Sequence, residues 1–365
     1  MSHMYKYIVK ELGFLPPPYG GVSVFLLRLI SKLNSNGITA GGYYMGELPN
    51  LKNLPCELFD KWEWLNTRRL FSTYYRIRKQ VRDYEIVHSH MSLEAMPFLW
   101  ALSFFDKKKI VITIHNSMIQ EFYSNTNFLN KFFLKEMAKR DVTWIAVSEE
   151  ARIRMEQLPL VFRNTIIVIP AYIPIEIKET YELPLELETF LSSSPKVITF
   201  YGHSFMSNLG EDVYGFYRVI DMFACLSENG DTLSKLVYCI ADKTEIDAIK
   251  MVQEYAKQKN VSGRIYWQIG PLANMQPLWM KTSVYVRPTS TDGDSVAVRE
   301  ALDLGVQVVA SDVCIRPKRV AIYPLEDNVQ FAKVVAKALK EGTGELNQNF
   351  SYYDQIVDVY KKLLK

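Results

Sequence analysis

Short apolar runs alternate with longer amphipathic segments along this chain, which is the pattern of a protein that packs helices on parallel sheets. Residues 109–114 (KIVITI) and 197–202 (VITFYG) are the clearest buried strands, because β-branched and aromatic residues follow one another there almost without polar interruption. A shorter strand is predicted at residues 5–9 and an amphipathic helix at residues 24–33. Because the alternation occurs in both halves, it predicts an α/β fold with two Rossmann-like domains.

The alternation is interrupted by a segment rich in proline and glutamate at residues 174–188, which we interpret as an interdomain linker. A length of 365 residues suits two domains. We therefore predict a first domain over residues 4–173 and a second over residues 189–345. The last segment, residues 346–365, is amphipathic and helical, and we expect it to cross back onto the first domain.

Composition narrows the classes of function. The formal net charge of +3 is too mild to suggest a nucleic-acid partner. The longest apolar runs are too short to cross a bilayer, and no secretory signal precedes the first strand, so we expect a cytoplasmic protein. The four cysteines are scattered without CxxC spacing, which favours reduced thiols over a disulfide framework or a zinc site.

A basic amphipathic helix is predicted over residues 66–83, with its apolar positions on one stripe and five arginines and lysines mostly outside that stripe. Such a helix can lie on an anionic membrane, which would place the protein at the inner face of the plasma membrane. It can equally be a core-packed helix with a solvated basic face. The sequence leaves both interpretations open.

The most informative stretch is residues 286–317, which is predicted to form a strand, a polar loop, a helix and a second strand. Gly293 lets a ligand approach the backbone closely, and Asp294 or Ser295 can cap the helix that starts near Val296. The unpaired N–H groups of such a helix start favour a phosphate or a sugar oxygen. Glu300 lies further into the helix, where its carboxylate could bind a vicinal diol.

Asp292 and Glu300 have seven residues between them, and Ala301, Leu302 and Gly305 follow. This spacing resembles the E-x7-E motif of the retaining GT-B glycosyltransferases of the GT4 family, and most of all members that build bacterial surface polysaccharides. The resemblance covers nearly the whole chain. It implies a GT-B fold, two Rossmann-like domains facing a central cleft. It further implies transfer of a sugar from a UDP- or GDP-sugar to a glycan or lipid-linked saccharide, with retention, no cofactor and no required metal.

The resemblance also assigns roles in the first domain. Gly20 and Gly21, at the first strand–helix junction, would face the donor phosphates. His115 follows the strand at residues 109–114 and would bond a sugar hydroxyl near the anomeric centre, completing the site when the domains close. On the acceptor side the resemblance places His90, Asn116 and Ser148. A metal held by His88 and His90 would need a third ligand, and none is spaced near them in the sequence.

In the second domain, the resemblance implies that Asp292 contacts the sugar hydroxyls and that Glu300 binds the ribose diol. The backbone of residues 293–296 would donate hydrogen bonds to the sugar and the phosphates. Ile269 and Gly270 would read the nucleotide base. Family members carry an arginine and a lysine after the glycine that corresponds to Gly202, whereas here His203 follows and no basic residue appears until Arg218. We therefore expect the diphosphate to be held by a cation from elsewhere, preferably Arg316 and otherwise Arg299, Lys318 or Arg319, or by backbone N–H groups after Gly202.

Three alternatives stay open. The missing basic pair fits a catalytically silent partner subunit of a polysaccharide assembly complex. A GT-B-shaped epimerase or phosphorylase would bind similar ligands but would lack an acceptor. A dinucleotide oxidoreductase is disfavoured, because no GxGxxG opens a βαβ unit.

Overall fold

The computed structural model describes residues 7–15, 20–44, 56–58, 70–91, 93–115, 118–175, 177, 182–205, 207–208, 211–272 and 274–365. The chain divides into two compact units, of which the first comprises Met1–Ile173 with Phe350–Lys365 and the second Pro174–Asn349. Each unit contains a parallel sheet covered by helices on both faces. These two parallel α/β units confirm the predicted fold class.

The first unit is built on a parallel sheet with the order β3-β2-β1-β4-β5-β6-β7. Its strands are β1 Tyr7–Leu15, β2 Ala40–Tyr44, β3 Cys56–Leu58, β4 Tyr84–Ser89, β5 Lys109–Ile114, β6 Thr143–Ala146 and β7 Ile167–Val168. Its helices are α1 Gly21–Ser35, α2 Leu70–Val81, α3 Met96–Phe105, α4 Ile119–Asn125, α5 Phe128–Ala138 and α6 Glu149–Glu156.

The second unit is built on a parallel sheet with the order β12-β11-β8-β13-β14-β15, beside a short hairpin of β9 and β10. Its strands are β8 Val197–Gly202, β9 Ser207–Asn208, β10 Glu211–Asp212, β11 Lys235–Ile240, β12 Ile265–Ile269, β13 Val284–Arg287, β14 Gln307–Ser311 and β15 Val320–Tyr323. Its helices are α7 Leu185–Ser192, α8 Phe216–Glu228, α9 Ile246–Gln258, α10 Gln276–Trp279, α11 Val296–Asp303 and α12 Asn328–Glu341.

The last helix, α13 (Ser351–Leu364), belongs to the first unit. Its apolar stripe packs in one core cluster with α1 and with the sheet residues Val9, Ile86 and Val111. The opposite face of the same sheet is covered by α2, α3 and α5. Residues buried on α13 therefore reach the central strands of the sheet from one side.

The first strand is longer than its sequence predicts. The apolar pattern stops at Lys10 and Glu11, and the prediction ended the strand at Val9, but β1 continues to Leu15. Both charged side chains are fully buried. A charge can be buried in a strand when other groups of the fold pair with it, and this information lies outside the strand itself.

Two further predictions are adjusted by the structure. Helix α1 begins at Gly21 rather than at residue 24, because Ser23 bonds the N–H and the C=O of Gly20 and closes the first turn. The predicted helix at residues 66–83 is described from Leu70 to Val81, and residues 66–69 lie outside the described residues. Among the described residues, no helix combines the length and the apolar character that crossing a bilayer requires.

Candidate functional site

Two of the predicted residues of the first unit, His90 and His115, lie side by side. His90 directly follows β4, and its N–H bonds the carbonyl of Leu12 on β1. His115 follows β5, the neighbouring parallel strand, so both rings emerge at the same edge of the sheet. The Nδ1 atom of His90 is 2.8 Å from the Nε2 atom of His115. Phe25 of α1 packs its ring against both imidazoles at 5.8 Å and fixes their position.

A third participant, Glu11, was missed from the sequence. It pairs with His88 in the register of β1 and β4, and its Oε2 accepts a hydrogen bond from Nε2 of His90 at 2.8 Å. Its Oε1 lies 2.7 Å from the hydroxyl of Tyr360 on α13. The only signal in the sequence is a carboxylate inside an apolar strand, which is costly unless partners compensate it.

His88 completes the cluster. Its Nδ1 is 2.6 Å from the Tyr360 hydroxyl, and its Nε2 is 2.7 Å from the hydroxyl of Thr113 on β5. The side chains of Glu11, His88 and His90 have no exposed surface. The cluster is therefore a dry network, in which low dielectric strengthens each hydrogen bond.

Proximity of these groups shifts their pKa values. Burial alone would raise the pKa of Glu11, but His88 and the hydrogen bonds from His88 and His90 outweigh burial and hold it well below its usual range. Burial, followed by His88, lowers the pKa of His90 to about 4 despite Glu11. Burial, then His90 and His88, lowers the pKa of His115 well below its ordinary value. Burial and Glu11 raise the pKa of Tyr360. At neutral pH the carboxylate is ionised and the two imidazoles are neutral.

Along the sequence, His88 and His90 have no third residue with a ligating atom near them, but the structure places one, Glu11, beside them. The ligand atoms of Glu11, His88 and His90 lie within 4.8 Å of one another. Sequence spacing could not show this, because the parallel register of β1 and β4 brings Glu11 beside His88. Hydrogen bonds occupy both ring nitrogens of each histidine, so we describe the three as a hydrogen-bonded network.

The other predicted residues of the first unit stand apart from this network in function. Gly20 is the N-cap of α1, and its N–H donates to the Ser23 hydroxyl at 2.9 Å. Gly21 is the first helical residue. Ser148 caps α6 by accepting a hydrogen bond from the N–H of Ala151 at 3.1 Å. Asn116 lies outside the described residues.

In the second unit the predicted strand, loop, helix and strand are present as β13, α11 and β14. Asp292, in the loop, is bonded by two arginines. Arg287 donates to both of its carboxylate oxygens at 3.0 and 3.1 Å, and Arg316 donates to Oδ2 at 2.6 Å. Burial raises the pKa of Asp292, but Arg287 and Arg316 outweigh burial and lower it to about 2. Asp292 is therefore an anion paired with buried guanidinium groups.

This network bears on the role predicted for Arg316. Its side chain is only 2% exposed, and besides Asp292 it bonds the carbonyl and hydroxyl of Ser311 and the hydroxyl of Thr289. The guanidinium is thus occupied in holding the loop to β14. A diphosphate role for Arg316 would require these bonds to open, so the arrangement does not support it.

The rest of the loop supplies backbone donors. The N–H of Gly293 is bonded to Asp292, whereas the N–H groups of Asp294, Ser295 and Val296 have no partner within the described residues. Ser295 caps α11 through the N–H of Val298. Arg299 pairs with Asp294 at 2.6 Å, yet burial still raises the pKa of Asp294. Three adjacent N–H groups at a helix start form a site for an anion or for sugar oxygens.

Glu300 is buried in the second turn of α11. Its Oε2 accepts a hydrogen bond from the indole N–H of Trp279, at the end of α10, at 2.9 Å. The indole was not predicted as part of the site. It fixes the direction of the carboxylate, which is the group predicted to bind the ribose diol.

Gly202 ends β8, and a Cβ at this position would lie 2.4 Å from the ring of Phe216, so packing alone requires glycine here. The Nδ1 of the following residue, His203, is buried without a hydrogen-bond partner among the described residues. Gly270 adopts a positive φ of 95° after β12. Its N–H donates to the carbonyl of Ile240. This N–H, which was among the groups predicted to contact the nucleotide base, is therefore already hydrogen-bonded.

Comparison with known proteins gives one family match and many structural matches. Residues 19–176 match the model of Glycosyltransferase Family 4. A search of curated proteins gives no significant match. The HepE protein of Anabaena, in complex with UDP and glucose, superposes with a TM-score of 0.70 at 13% identity, over 98% of this chain and 100% of that chain.

Two further structures superpose over nearly their whole length. A glycosyltransferase from Rickettsia africae gives a TM-score of 0.71 at 12% identity, covering 99% of both chains. Sucrose-phosphate synthase from Thermosynechococcus elongatus gives 0.69 at 13% identity, covering 98% of this chain and 99% of that chain. At these identities the likeness establishes the fold, which is that of GT-B glycosyltransferases.

Proposed function

We propose that this chain is a retaining glycosyltransferase that moves a sugar from a UDP- or GDP-sugar to a glycan or lipid-linked saccharide in cell-surface polysaccharide biosynthesis. The observation that carries the proposal is the match of residues 19–176 to Glycosyltransferase Family 4 on a chain whose full length superposes on HepE. HepE was crystallised with UDP and glucose. The strand–loop–helix unit of Asp292 and Glu300 provides the chemistry that such a donor needs.

In this proposal the second unit binds the donor. Glu300, aimed by Trp279, accepts hydrogen bonds from the ribose diol. The N–H groups of Asp294, Ser295 and Val296 meet the diphosphate, and the α11 dipole adds to their effect. Backbone donors at a helix start can stabilise the charge of the leaving diphosphate, so we expect no requirement for a metal ion.

The first unit supplies His115, whose ring is held by His90 and Phe25. We propose that it bonds a sugar hydroxyl close to the reacting carbon. The direct test is a turnover assay that detects release of nucleoside diphosphate in the presence of EDTA, with wild type and His115→Ala. We expect turnover by wild type and a loss of roughly 100-fold in the variant, with NMR of the product showing the anomeric configuration of the donor.

The alternative of a catalytically silent subunit is favoured by one observation, the absence of a basic pair after Gly202. The same assay separates the two functions. If the protein binds nucleotide but releases no diphosphate from any UDP- or GDP-sugar in the presence of saccharide acceptors, the enzyme proposal is refuted and the silent subunit is favoured. Conversion of one sugar nucleotide into another without an acceptor would indicate an epimerase.

We also propose contact with an anionic membrane through one face of the first unit. This aromatic face consists of exposed rings on α2, α3 and α5: Phe71, Tyr75, Phe104, Phe105, Phe128 and Phe132. Phe71 is 91% exposed, which is unusual for such a large apolar side chain. Trp100 and Phe133 link the rings of α3 and α5 at 5.1 Å, and Arg140 lies 5.0 Å over Phe104. Exposed basic residues, among them Lys79, Lys107 and Lys135, accompany the rings.

Co-sedimentation with vesicles tests this contact. We expect wild type to pellet with phosphatidylglycerol vesicles and much less with phosphatidylcholine vesicles, and binding to weaken with salt. The double variant Phe71→Ser/Phe105→Ser should lose binding. Val161→Ser is the matched control, because Val161 is 79% exposed on the same unit but outside the aromatic face. Equal binding by all three proteins would refute the contact.

A further inference from the structure

The hydrogen bonds around His115 determine where each proton lies. They form a chain in which Tyr360 contacts Glu11, Glu11 contacts His90, and His90 contacts His115. The chain runs from the terminal helix α13 through β1 to the carboxyl ends of β4 and β5. We call these four residues the proton-ordered chain. Each member has few choices, because a carboxylate can only accept hydrogen bonds and a neutral imidazole donates through one nitrogen and accepts through the other.

The order starts at Glu11. As an ionised carboxylate it accepts at both oxygens, so the Tyr360 hydroxyl must donate to Oε1 and the Nε2 atom of His90 must carry a hydrogen and donate to Oε2. Because the only hydroxyl hydrogen of Tyr360 is donated to Glu11, the Tyr360 oxygen accepts a hydrogen bond from Nδ1–H of His88. The Nε2 atom of His88 lies 2.7 Å from the Thr113 hydroxyl. The Nδ1 atom of His88 also lies 3.2 Å from Oε2 of Glu11, so its hydrogen contacts both the tyrosine oxygen and the carboxylate.

The order continues to His115. Because neutral His90 has its hydrogen on Nε2, its Nδ1 carries a lone pair and must accept. Its neighbour there is Nε2 of His115, which therefore carries the hydrogen and donates across 2.8 Å. The remaining nitrogen of neutral His115, Nδ1, is left with a lone pair, and it has no partner within the described residues.

We propose that Glu11 and Tyr360 are positioning residues that fix His115 as the Nε2–H tautomer, so that its Nδ1 is presented to substrate as a hydrogen-bond acceptor. The tautomer follows from the network itself, whereas its meeting with a substrate hydroxyl rests on the proposed glycosyl transfer. Neither Glu11 nor Tyr360 needs to touch substrate. They act through His90, as a buried carboxylate orients an imidazole in other enzymes.

The proposal has a consequence for specificity. A lone pair on Nδ1 favours a substrate O–H group and disfavours any group that can only accept. Donor or acceptor sugars in which the contacted hydroxyl is replaced by hydrogen, fluorine or O-methyl should therefore lose at least about tenfold in kcat/KM. In the other tautomer, Nδ1 of His115 would carry a hydrogen and could donate it to fluorine or to an O-methyl oxygen, so those two substrates would not show this loss.

NMR of protein labelled with [15N]histidine tests the order directly and needs no substrate. In wild type, kept in EDTA, we expect His90 and His115 each to be protonated on Nε2 alone. We also expect a scalar coupling between Nδ1 of His90 and Nε2 of His115 across their hydrogen bond. A hydrogen on Nδ1 of His115, or the absence of this coupling, would overturn the proposal.

Variants test the two positioning residues. Glu11→Gln should give mixed tautomers at His115 and weaken the coupling. Tyr360→Phe removes the donor to Oε1 of Glu11, so the carboxylate is held less firmly against His90 and the coupling should weaken. Tyr353→Phe is the matched control, since Tyr353 is also buried on α13 but its hydroxyl bonds Asn36 outside the chain. If Tyr353→Phe changes the His115 signals as much as Tyr360→Phe does, the role assigned to Tyr360 is wrong. If Glu11→Gln does not fold, the NMR spectra of wild type and Tyr360→Phe still test the proposal.

Kinetics then connect the order to function. We expect kcat to fall roughly tenfold or more in Tyr360→Phe, with the dissociation constant of the nucleotide unchanged and Tyr353→Phe close to wild type. An ordered His115 in a protein that turns over no sugar nucleotide would refute the proposed function and leave the proton order standing. Turnover unaffected by a demonstrated loss of order would refute the positioning role.

Discussion

Several ionisable side chains of the first unit are buried, and their neighbours rather than water set their charge. Glu11 lies in the middle of a strand and is paired by His88, His90 and Tyr360. The cost of burying its charge is offset only if all of these partners are present. The stability of the first unit should therefore depend on pH in a predictable direction.

We predict that the free energy of unfolding falls as the pH is lowered from about 6.5 to about 4. The folded-state pKa of His90 is about 4, below the value of roughly 6.5 for an unfolded chain. Between these values the unfolded chain binds a proton that the folded chain does not, so acid favours unfolding. The full shift is worth about 3 kcal/mol for one histidine, and His115 adds in the same direction.

Urea unfolding at several pH values measures this dependence. Glu11 has a lowered pKa, so its stabilising contribution is present at neutral pH and declines only below about pH 4.3. His90→Asn should flatten the dependence between pH 6.5 and 4. A wild-type stability that is constant over this range would contradict the described network.

Asp292 and Asp294 lie in one loop but should lose unequal amounts of stability on neutralisation. Asp292→Asn leaves two buried guanidinium groups without their anion, and we expect a loss of roughly 3 kcal/mol in the stability of the second unit. Burial raises the pKa of Asp294 despite Arg299, so Asp294→Asn should cost clearly less. Chemical denaturation of both variants checks this, and equal losses would show that the two carboxylates are not distinguished by their partners.

At the scale of residues, the sequence predicted the participants that follow strands and missed those that act from elsewhere. His90, His115, Asp292 and Glu300 could be singled out because they follow or flank recognisable strands and helices. Glu11 was missed because a charge inside a strand has meaning only with its cross-strand neighbours. The bonds of Arg316 were also unreadable, since they depend on how the loop folds against β14.

Among the elements, α13 is linked to β1 by the Tyr360 hydroxyl, which lies 2.7 Å from Oε1 of Glu11. We predict that Ile356→Ala, a truncation of a side chain that is 2% exposed, destabilises the first unit by about 2–5 kcal/mol. Exposed Lys362→Ala on the same helix should change stability by less than about 0.5 kcal/mol.

Hydrogen exchange locates the effect of Ile356→Ala. Amides of β1 and β4 should lose protection in this variant, because α13 packs in one core cluster with those strands. Unchanged protection there would show that α13 contributes little to the packing of the sheet.

Elements were predictable where pattern and local chemistry agree. Strand β5 has the predicted bounds. Boundaries failed where they depend on tertiary contacts. The end of β1 depends on the pairing of Glu11.

For the whole molecule, alternation of strands and helices was enough to predict two parallel α/β units, because this pattern has few packing solutions. The identity of the sugar and of the acceptor is not contained in the pattern. It depends on a few side chains whose positions are set by loops, and loops carry function while the scaffold is shared.

Calorimetric titration with UDP, GDP, ADP and their sugars tests the central claim most directly, using wild type and Glu300→Gln. Glutamine can still accept from the Trp279 indole, so this variant should keep that hydrogen bond while losing the carboxylate. We predict that one nucleotide family binds wild type and binds Glu300→Gln roughly 10- to 100-fold more weakly. Absence of binding by every nucleotide at millimolar concentration would contradict the account and favour a silent subunit.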